Sequence, residues 1–351
     1  VAAVGAGGRE VHVVLPDDID DPATPSGGNH YDRRVCGGLA EAGWRVREHP
    51  VPGGWPAPTP AARADLAGRL AALPDGAVVL LDGLVASVAP DALAPHAGRL
   101  RLVVLVHLPR EDAVEARALA AATAVVATSG WARRRLLDRY ALPADRVYVA
   151  TPGVDPAPSA AGTPAGTELL CVAAVAPHKG HDVLLTALAA VADLPWRCVC
   201  VGATTRAPDF AEGLRRRAER TGLTGRVRLI GPRTGPGLAA AYAAADLLVL
   251  ASRGETYGMA VTEALARGVP VLATDVGGLP EALGLAPGGE RPGLLVPPDD
   301  PAALAAALRR WLGDAGLRER LRRAARARRD TLAGWDATAA ALAAALKEST
   351  T

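Results

Sequence analysis

"ASRGETYGMAVTEALARGVPVLATDVGGLPEAL", Ala251 to Leu283, is the stretch on which the reading of this chain turns. An apolar run ends near Ala251, a short loop carries Glu255, and a helix predicted to start around Tyr257 or Gly258 carries Glu263. On that reading two helical turns, roughly 9 Å, separate the helix start from Glu263, so the two carboxylates can touch opposite ends of one ligand. The backbone N–H groups of Gly258 and Met259 then lie at a helix N-terminus, where unpaired donors and the helix dipole favour a phosphate. Val276–Gly277–Gly278 follows the next apolar run and offers a second turn of close backbone approach. Taken alone, those glycines require no more than a tight strand-to-helix turn.

Outward from this stretch, short apolar runs alternate with helical patterns almost from end to end. Strands are expected at Val11–Leu15, Arg45–His49, Val78–Leu81, Leu102–His107, Ala124–Thr128 and Val147–Ala150. "TPGVDPAPSAAGTPAG", Thr151 to Gly166, interrupts the alternation with proline, glycine and small residues and reads as a linker. The pattern restarts at Glu168–Ala174, Arg197–Val201, Val227–Ile230, Leu247–Ala251, Val269–Ala273 and Leu294–Val296, followed by a helical tail from Pro301 to Lys347. Apolar runs separated by helix-spaced alanine, leucine and arginine predict parallel sheets wrapped by crossover helices. The fold class expected is therefore α/β, two Rossmann-like β/α/β domains facing each other across a cleft. Its divisions are an N-terminal domain 1–155, a linker 156–166, a ligand-binding domain 167–332, and a C-terminal helix 333–351 able to return to the first domain. Open α/β sheets bind ligands beyond the carboxyl ends of their strands, so the chemistry is sought there.

Composition excludes several classes. At 351 residues the chain is long enough for two cores, and no apolar run approaches a membrane span. A net charge of +2, from 39 basic and 37 acidic residues, argues against a global nucleic-acid-binding field, and the scarce aromatics offer no base-stacking platform. Cys36, Cys171, Cys198 and Cys200 lack CxxC spacing and disulfide density, and are read as core thiols. The sequence starts at Val1 without an initiator methionine or a secretory-signal pattern, and is read as cytoplasmic. "GAGG", Gly5 to Gly8, precedes a strand rather than following one, so it is read as an ordinary flexible terminus instead of a dinucleotide-binding turn.

The elements around Glu255 suit a nucleoside diphosphate carrying a sugar. Glu263 would accept from ribose hydroxyls, the helix start would hold the diphosphate, and Glu255 would orient sugar hydroxyls. The spacing Glu255-x7-Glu263, in the context "EALARGVPVLATDVGG", resembles the E-x7-E motif of retaining glycosyltransferases with the GT-B fold, particularly glycosyltransferase family 4. The likeness extends through "VAPHKGHDVLLTAL" (Val175–Leu188), "SGWARRRLLDRYALPADRVYVATPGVD" (Ser129–Asp155) and "SGGNHYD" (Ser26–Asp32), covering most of the chain in the family's order.

The resemblance implies roles. Lys179, in "HKG", matches the diphosphate-binding lysine, and otherwise is a solvated loop lysine. His107, at the end of "RLVVLV", matches a histidine that reaches donor sugar or diphosphate, and otherwise is a hydrogen-bonded cleft residue. Gly27 and Gly28 match a glycine loop that admits donor phosphate and acceptor together. Many relatives carry an arginine where this chain has Ala174, which leaves part of the phosphate charge to other cations, with Arg233 and Arg206 as loop candidates. Asp17 to Asp21 only superficially resembles a metal-binding D-x-D and is read as a solvated acidic loop.

The function expected is retaining transfer of a sugar from a nucleotide-diphosphate sugar to a small-molecule, glycan or lipid-linked acceptor, without cofactor or metal. The alternatives are a nucleotide-sugar epimerase of the same fold and a non-catalytic nucleotide-sugar-binding module. Two basic segments, Trp131–Tyr140 and Leu308–Arg329, allow peripheral membrane contact but read better as solvated helix faces.

Overall fold

The computed structural model describes residues 9–349; Gly5–Gly8 lie outside them. Two six-stranded sheets, parallel throughout, account for the strands expected from the sequence, with ends displaced by at most two residues. The first contains β1 (Glu10–Pro16), β2 (Arg45–Val51), β3 (Val78–Asp82), β4 (Arg101–Val106), β5 (Ala124–Ala127) and β6 (Val147–Val149), in the order β2-β1-β3-β4-β5-β6. The second contains β7 (Glu168–Val172), β8 (Arg197–Val201), β9 (Val227–Leu229), β10 (Leu247–Leu250), β11 (Val271–Thr274) and β12 (Gly293–Val296), in the order β12-β11-β10-β7-β8-β9.

Continuous apolar runs become central strands because helices cover both sheet faces and leave no solvent side to alternate toward. β3 is buried at every residue and β4 at all but its first. Several helices start where a short polar side chain takes up free backbone N–H groups: Asp112 accepts from Val114 and Glu115, Ser129 from Ala132, Asp300 from Ala303 and Asp314 from Leu317. The last two caps, with the break after Arg329, divide the expected continuous tail into helices Pro301–Gly313, Ala315–Arg329 and Trp335–Glu348.

Each order reverses direction at one place, between β1 and β3 in the first sheet and between β7 and β10 in the second. Neighbouring crossovers leave on opposite faces at such a point, and a crevice opens beyond the strand ends.

The chain divides into two compact units, Val1–Asp20 with Gly27–Gly153 and Trp335–Thr351, and Asp21–Ser26 with Val154–Gly334. Two assignments differ from the sequence reading. Residues 21–26 group with the second unit, where the Arg206 guanidinium donates to the Thr24 carbonyl at 3.2 Å. Residues 156–166 are not a free linker. Buried Asp246 accepts from the Thr163 backbone and hydroxyl and from the Glu168 backbone, and is paired with Arg322 at 3.0 Å. A buried carboxylate needs such donors, and in finding them it pins the segment down.

In the first unit, helix Trp335–Glu348 lies on helix Gly27–Glu41. A Cβ on Gly38 would come within 2.6 Å of the Ala339 Cβ, so the close crossing depends on glycine. Tyr31 packs edge-on to Trp335 and donates its hydroxyl to the Ala150 carbonyl at 2.8 Å.

Candidate functional site

In the second unit the loops leaving β7 and β10 border the crevice. Lys179 ends a single 3-10 turn, Pro177–Lys179, and Glu255 lies in the loop after β10. The Lys179 ammonium donates to Glu255 Oε1 at 2.6 Å, and the Ser252 hydroxyl donates to the same oxygen at 3.3 Å. Both side chains keep some exposure, 19% and 15%.

Glycines allow this approach. Gly180 has φ +66°, and a Cβ there would stand 1.8 Å from the Ala251 carbonyl oxygen, so the Lys179 loop lies directly on the end of β10. On the other side Gly277, at φ +57°, places its missing Cβ 1.8 Å from the Glu255 carbonyl oxygen, and the Gly278 N–H donates to that carbonyl at 2.9 Å. Gly277 and Gly278 therefore brace the glutamate's backbone; any contact they make with a ligand is additional.

Helix Met259–Leu265 starts later than the sequence suggested, because Gly258, at φ +101°, is its N-cap. Glu263 is four residues past Met259, roughly 6 Å along the axis rather than 9 Å. No described side chain caps this helix. Glu263 accepts from the Tyr242 hydroxyl at 2.7 Å, and the Arg267 guanidinium lies 4.7 Å from the centre of the Tyr242 ring. Burial pushes the Glu263 carboxyl up, opposed by the Tyr242 hydroxyl and Arg267. Arg233 follows the edge strand β9 and donates to the carbonyl of its own neighbour Pro232 at 2.8 Å.

The first unit fills the equivalent position differently. His107 follows β4, Asp82 ends β3 and Asp32 projects from helix Gly27–Glu41; one ligand-type atom from each lies within 4.8 Å of the others. His107 Nε2 bonds Asp32 Oδ1 at 2.8 Å, while Asp82 Oδ1 accepts from the Leu84 N–H at 2.7 Å. Burial opposes the imidazolium, but the Asp32 carboxylate and the field of Asp82 outweigh it and raise His107 to about 9. Burial, reinforced by the charge of Asp32, raises Asp82 to about 8. Asp82 thus favours its protonated form near neutrality, beside the buried Asp32 Oδ2, which has no hydrogen-bond partner among the described residues. Gly28, in the first turn of its helix, lies against the ring: a Cβ there would be 3.4 Å from His107 Cδ2.

These three side chains could in principle receive a cation, as could Cys171, His181 and Cys200, which form a second such group in the sheet core. There the Cys171 Sγ lies 3.7 Å from His181 Nε2. The acidic loop is occupied otherwise. Arg33 grips both Asp20 oxygens at 2.7 Å, and Asp21 accepts from Ala23 and Thr24 in its own turn. In the basic segment 131–140, Arg135 pairs with Glu111 and Arg133 with backbone carbonyls. No described helix is long and apolar enough to cross a membrane.

Sequence reasoning missed Asp82 and Tyr242. Asp82 was within reach of the rule that singled out His107, since it too ends an apolar strand. Tyr242 carries no such signal; its partner Glu263 lies 21 positions further on.

Known proteins resemble this chain in sequence and in fold. Residues 166–314 match the family described as glycosyl transferases group 1. The D-inositol 3-phosphate glycosyltransferase of Salinispora tropica is 36% identical over 248 residues, 64% of this chain and 50% of that protein. The protein of the same name from Kineococcus radiotolerans is 38% identical over 253 residues, 65% and 57% of the two chains. This chain thus spans about half the length of the curated relatives it matches. Among solved structures, a sucrose-phosphate synthase from Thermosynechococcus elongatus superposes with TM-score 0.78 at 21% identity, covering 97% of this chain and 98% of that one. Anabaena Alr3699/HepE in complex with UDP-glucose gives 0.75 at 18% identity, covering 97% and 99%. The chain therefore has the GT-B fold, and its residues 166–314 match the model of the glycosyl transferases group 1 family.

Proposed function

We propose that the chain is a retaining glycosyltransferase that takes its sugar from a nucleotide-diphosphate sugar. The observation that carries this reading is the Lys179–Glu255 pair, 2.6 Å apart at the point where the second sheet reverses its strand order. Lysine supplies a flexible point charge with three donors, so a diphosphate can share or take over its ammonium. Glu255 is then released to accept from hydroxyls of the transferred sugar. Glu263, already held by Tyr242, would accept from the ribose, and the backbone N–H groups from Gly258 and Met259 onward would face the phosphates.

Retention follows from the family resemblance, in which the acceptor attacks on the face from which the diphosphate departs. The departing phosphate can take the acceptor proton, so no protein nucleophile is required. The protein contributes position and stabilisation of developing charge. In the first unit His107, held as an imidazolium, would offer a fixed N–H donor and a positive charge to a sugar hydroxyl or phosphate. The names of the relatives point to a phosphorylated inositol as acceptor, and the Anabaena structure to a uridine nucleotide in the donor.

The test is incubation with a panel of nucleotide sugars, with and without inositol phosphate, followed by NMR of the product's anomeric centre. A glycoside that keeps the donor's configuration supports the reading. Inversion defeats the retaining mechanism, conversion without acceptor favours the epimerase, and binding without product favours the non-catalytic module.

A further inference from the structure

Glu255 and Lys179 stand 76 positions apart on separate loops, and Arg253, from the loop that carries Glu255, bonds residues of the loop that carries Lys179. The Arg253 backbone N–H donates to the His178 carbonyl at 2.8 Å, and its guanidinium donates to the Pro177 carbonyl. The same guanidinium forks onto Asp182, in the first turn of the helix after Lys179, at 2.9 and 2.8 Å. Its Nε reaches Asp299, beyond β12, at 2.6 Å. Lys179 is therefore bracketed. Residues 177 and 178 before it and 182 after it are tied to Arg253, while Gly180 rests on Ala251. Glu255 follows Arg253 by two residues on that same strand-end loop.

We propose that Arg253 is a positioning residue, which through Asp182 and the 177–178 backbone sets where the Lys179 ammonium stands relative to Glu255 and the departing diphosphate. This rests on the donor-site reading above. An exposed ion pair alone would contribute little. Here one planar guanidinium holds a carboxylate at two points and a backbone carbonyl as well, a geometry that a lysine's single point charge does not reproduce. The reacting centre tolerates little displacement, because misplacement by about 1 Å can cost on the order of a hundredfold in rate.

The experiment is a double-mutant cycle in the full chain, with Arg253→Met, Lys179→Ala, both together, and Arg253→Lys. The readouts are kcat and KM for the nucleotide sugar, nucleotide-diphosphate affinity and the unfolding midpoint. Arg253→Met is expected to lower kcat on the order of tenfold to a hundredfold while donor KM changes far less. In the Lys179→Ala background the same change should cost less than about threefold, because its effect runs through a group already removed. Arg253→Lys should recover only a minor part. Additive losses in the cycle, or a folded Arg253→Met within about twofold of wild-type kcat, would overturn the assignment. If Arg253→Met fails to fold, Asp182→Asn, which keeps shape and removes one charge, takes its place with the same expectations. A wild-type chain that neither binds nor turns over any nucleotide sugar would overturn the donor-site reading itself, an outcome distinct from additivity in the cycle.

Discussion

The crevices of the two units occupy the same place in similar sheets yet hold their charges in opposite ways. In the first, two carboxylates and one imidazole are packed so closely that one carboxyl keeps its proton and the ring stays charged to about 9. In the second, a lysine and a glutamate neutralise each other one-to-one and retain some exposure. The first arrangement balances most of its charge among its own members. On the donor-site reading proposed above, the second would exchange partners with a ligand, as leaving-group stabilisation requires. Topology chooses the place, and the side chains choose whether it is a fixed cluster or an exchangeable one.

Lys179→Ala tests that contrast most severely. Removing the exchangeable charge should lower turnover at saturating donor on the order of a hundredfold. Near-normal steady-state rates would mean the second crevice is no more exchangeable than the first.

Glycine substitutions compare the backbones. Gly277→Ala drives a Cβ into the Glu255 carbonyl from a left-handed conformation and should destabilise the second unit by about 2–3 kcal/mol in denaturant unfolding. Gly28→Ala only brings a methyl into van der Waals contact with His107, and should change stability by less than about 0.5 kcal/mol. Equal costs would erase the difference in how tightly the two crevices are built.

Titration sharpens the comparison further. His107 is raised from its ordinary 6.5 to about 9, and Asp82 from 3.8 to about 8. Both native groups therefore hold protons that the unfolded chain has already released. Their contribution is complete below the unfolded values and is lost as pH rises through about 8 and 9. From the unfolded value of Asp82, 3.8, up to its native value of about 8, unfolding midpoints of the wild type should fall with pH more steeply than those of Asp82→Asn, whose amide can still accept from Leu84. Parallel curves would show that the cluster is not the source of the slope.

Within the second crevice, Glu263→Gln should weaken nucleotide-diphosphate binding by about 1 kcal/mol and Glu255→Gln by less, since only Glu263 is assigned to the ribose. Calorimetry that finds equal losses contradicts this division. Smallest of all should be the response to metal removal. Excess chelator is expected to leave turnover unchanged, and Asp18→Asn with Asp20→Asn should retain donor binding. Loss on chelation, restored by magnesium or manganese in the wild type and not in the double variant, would return the chemistry to the acidic loop.

Most of the fold was legible in sequence because buried parallel strands announce themselves as short unbroken apolar runs, as in Val78–Asp82 and Arg101–Val106. The site was legible in part. His107 directly follows β4, and Lys179 and Glu255 lie in the loops after β7 and β10, on the side of an open sheet where ligands bind. The helix start was misplaced by one or two residues, because Gly258 takes a positive φ that composition does not reveal. Pro- and Gly-rich residues 156–166 read as a linker because nothing local shows that buried Asp246, some eighty residues on, requires their donors.

By itself, then, the sequence determined the local properties: which runs are strands, which residues cap helices, and which charged groups stand at strand ends. Each depends on neighbours a few positions away, through backbone sterics and hydrophobic period. Only the tertiary structure decided which of those groups meet. It placed Lys179 on Glu255, tied the residues on either side of Lys179 to Arg253, and set Asp32 and Asp82 around His107. Proton affinity and ion pairing depend on distance and burial, and these are fixed only when strands far apart in the chain lie side by side.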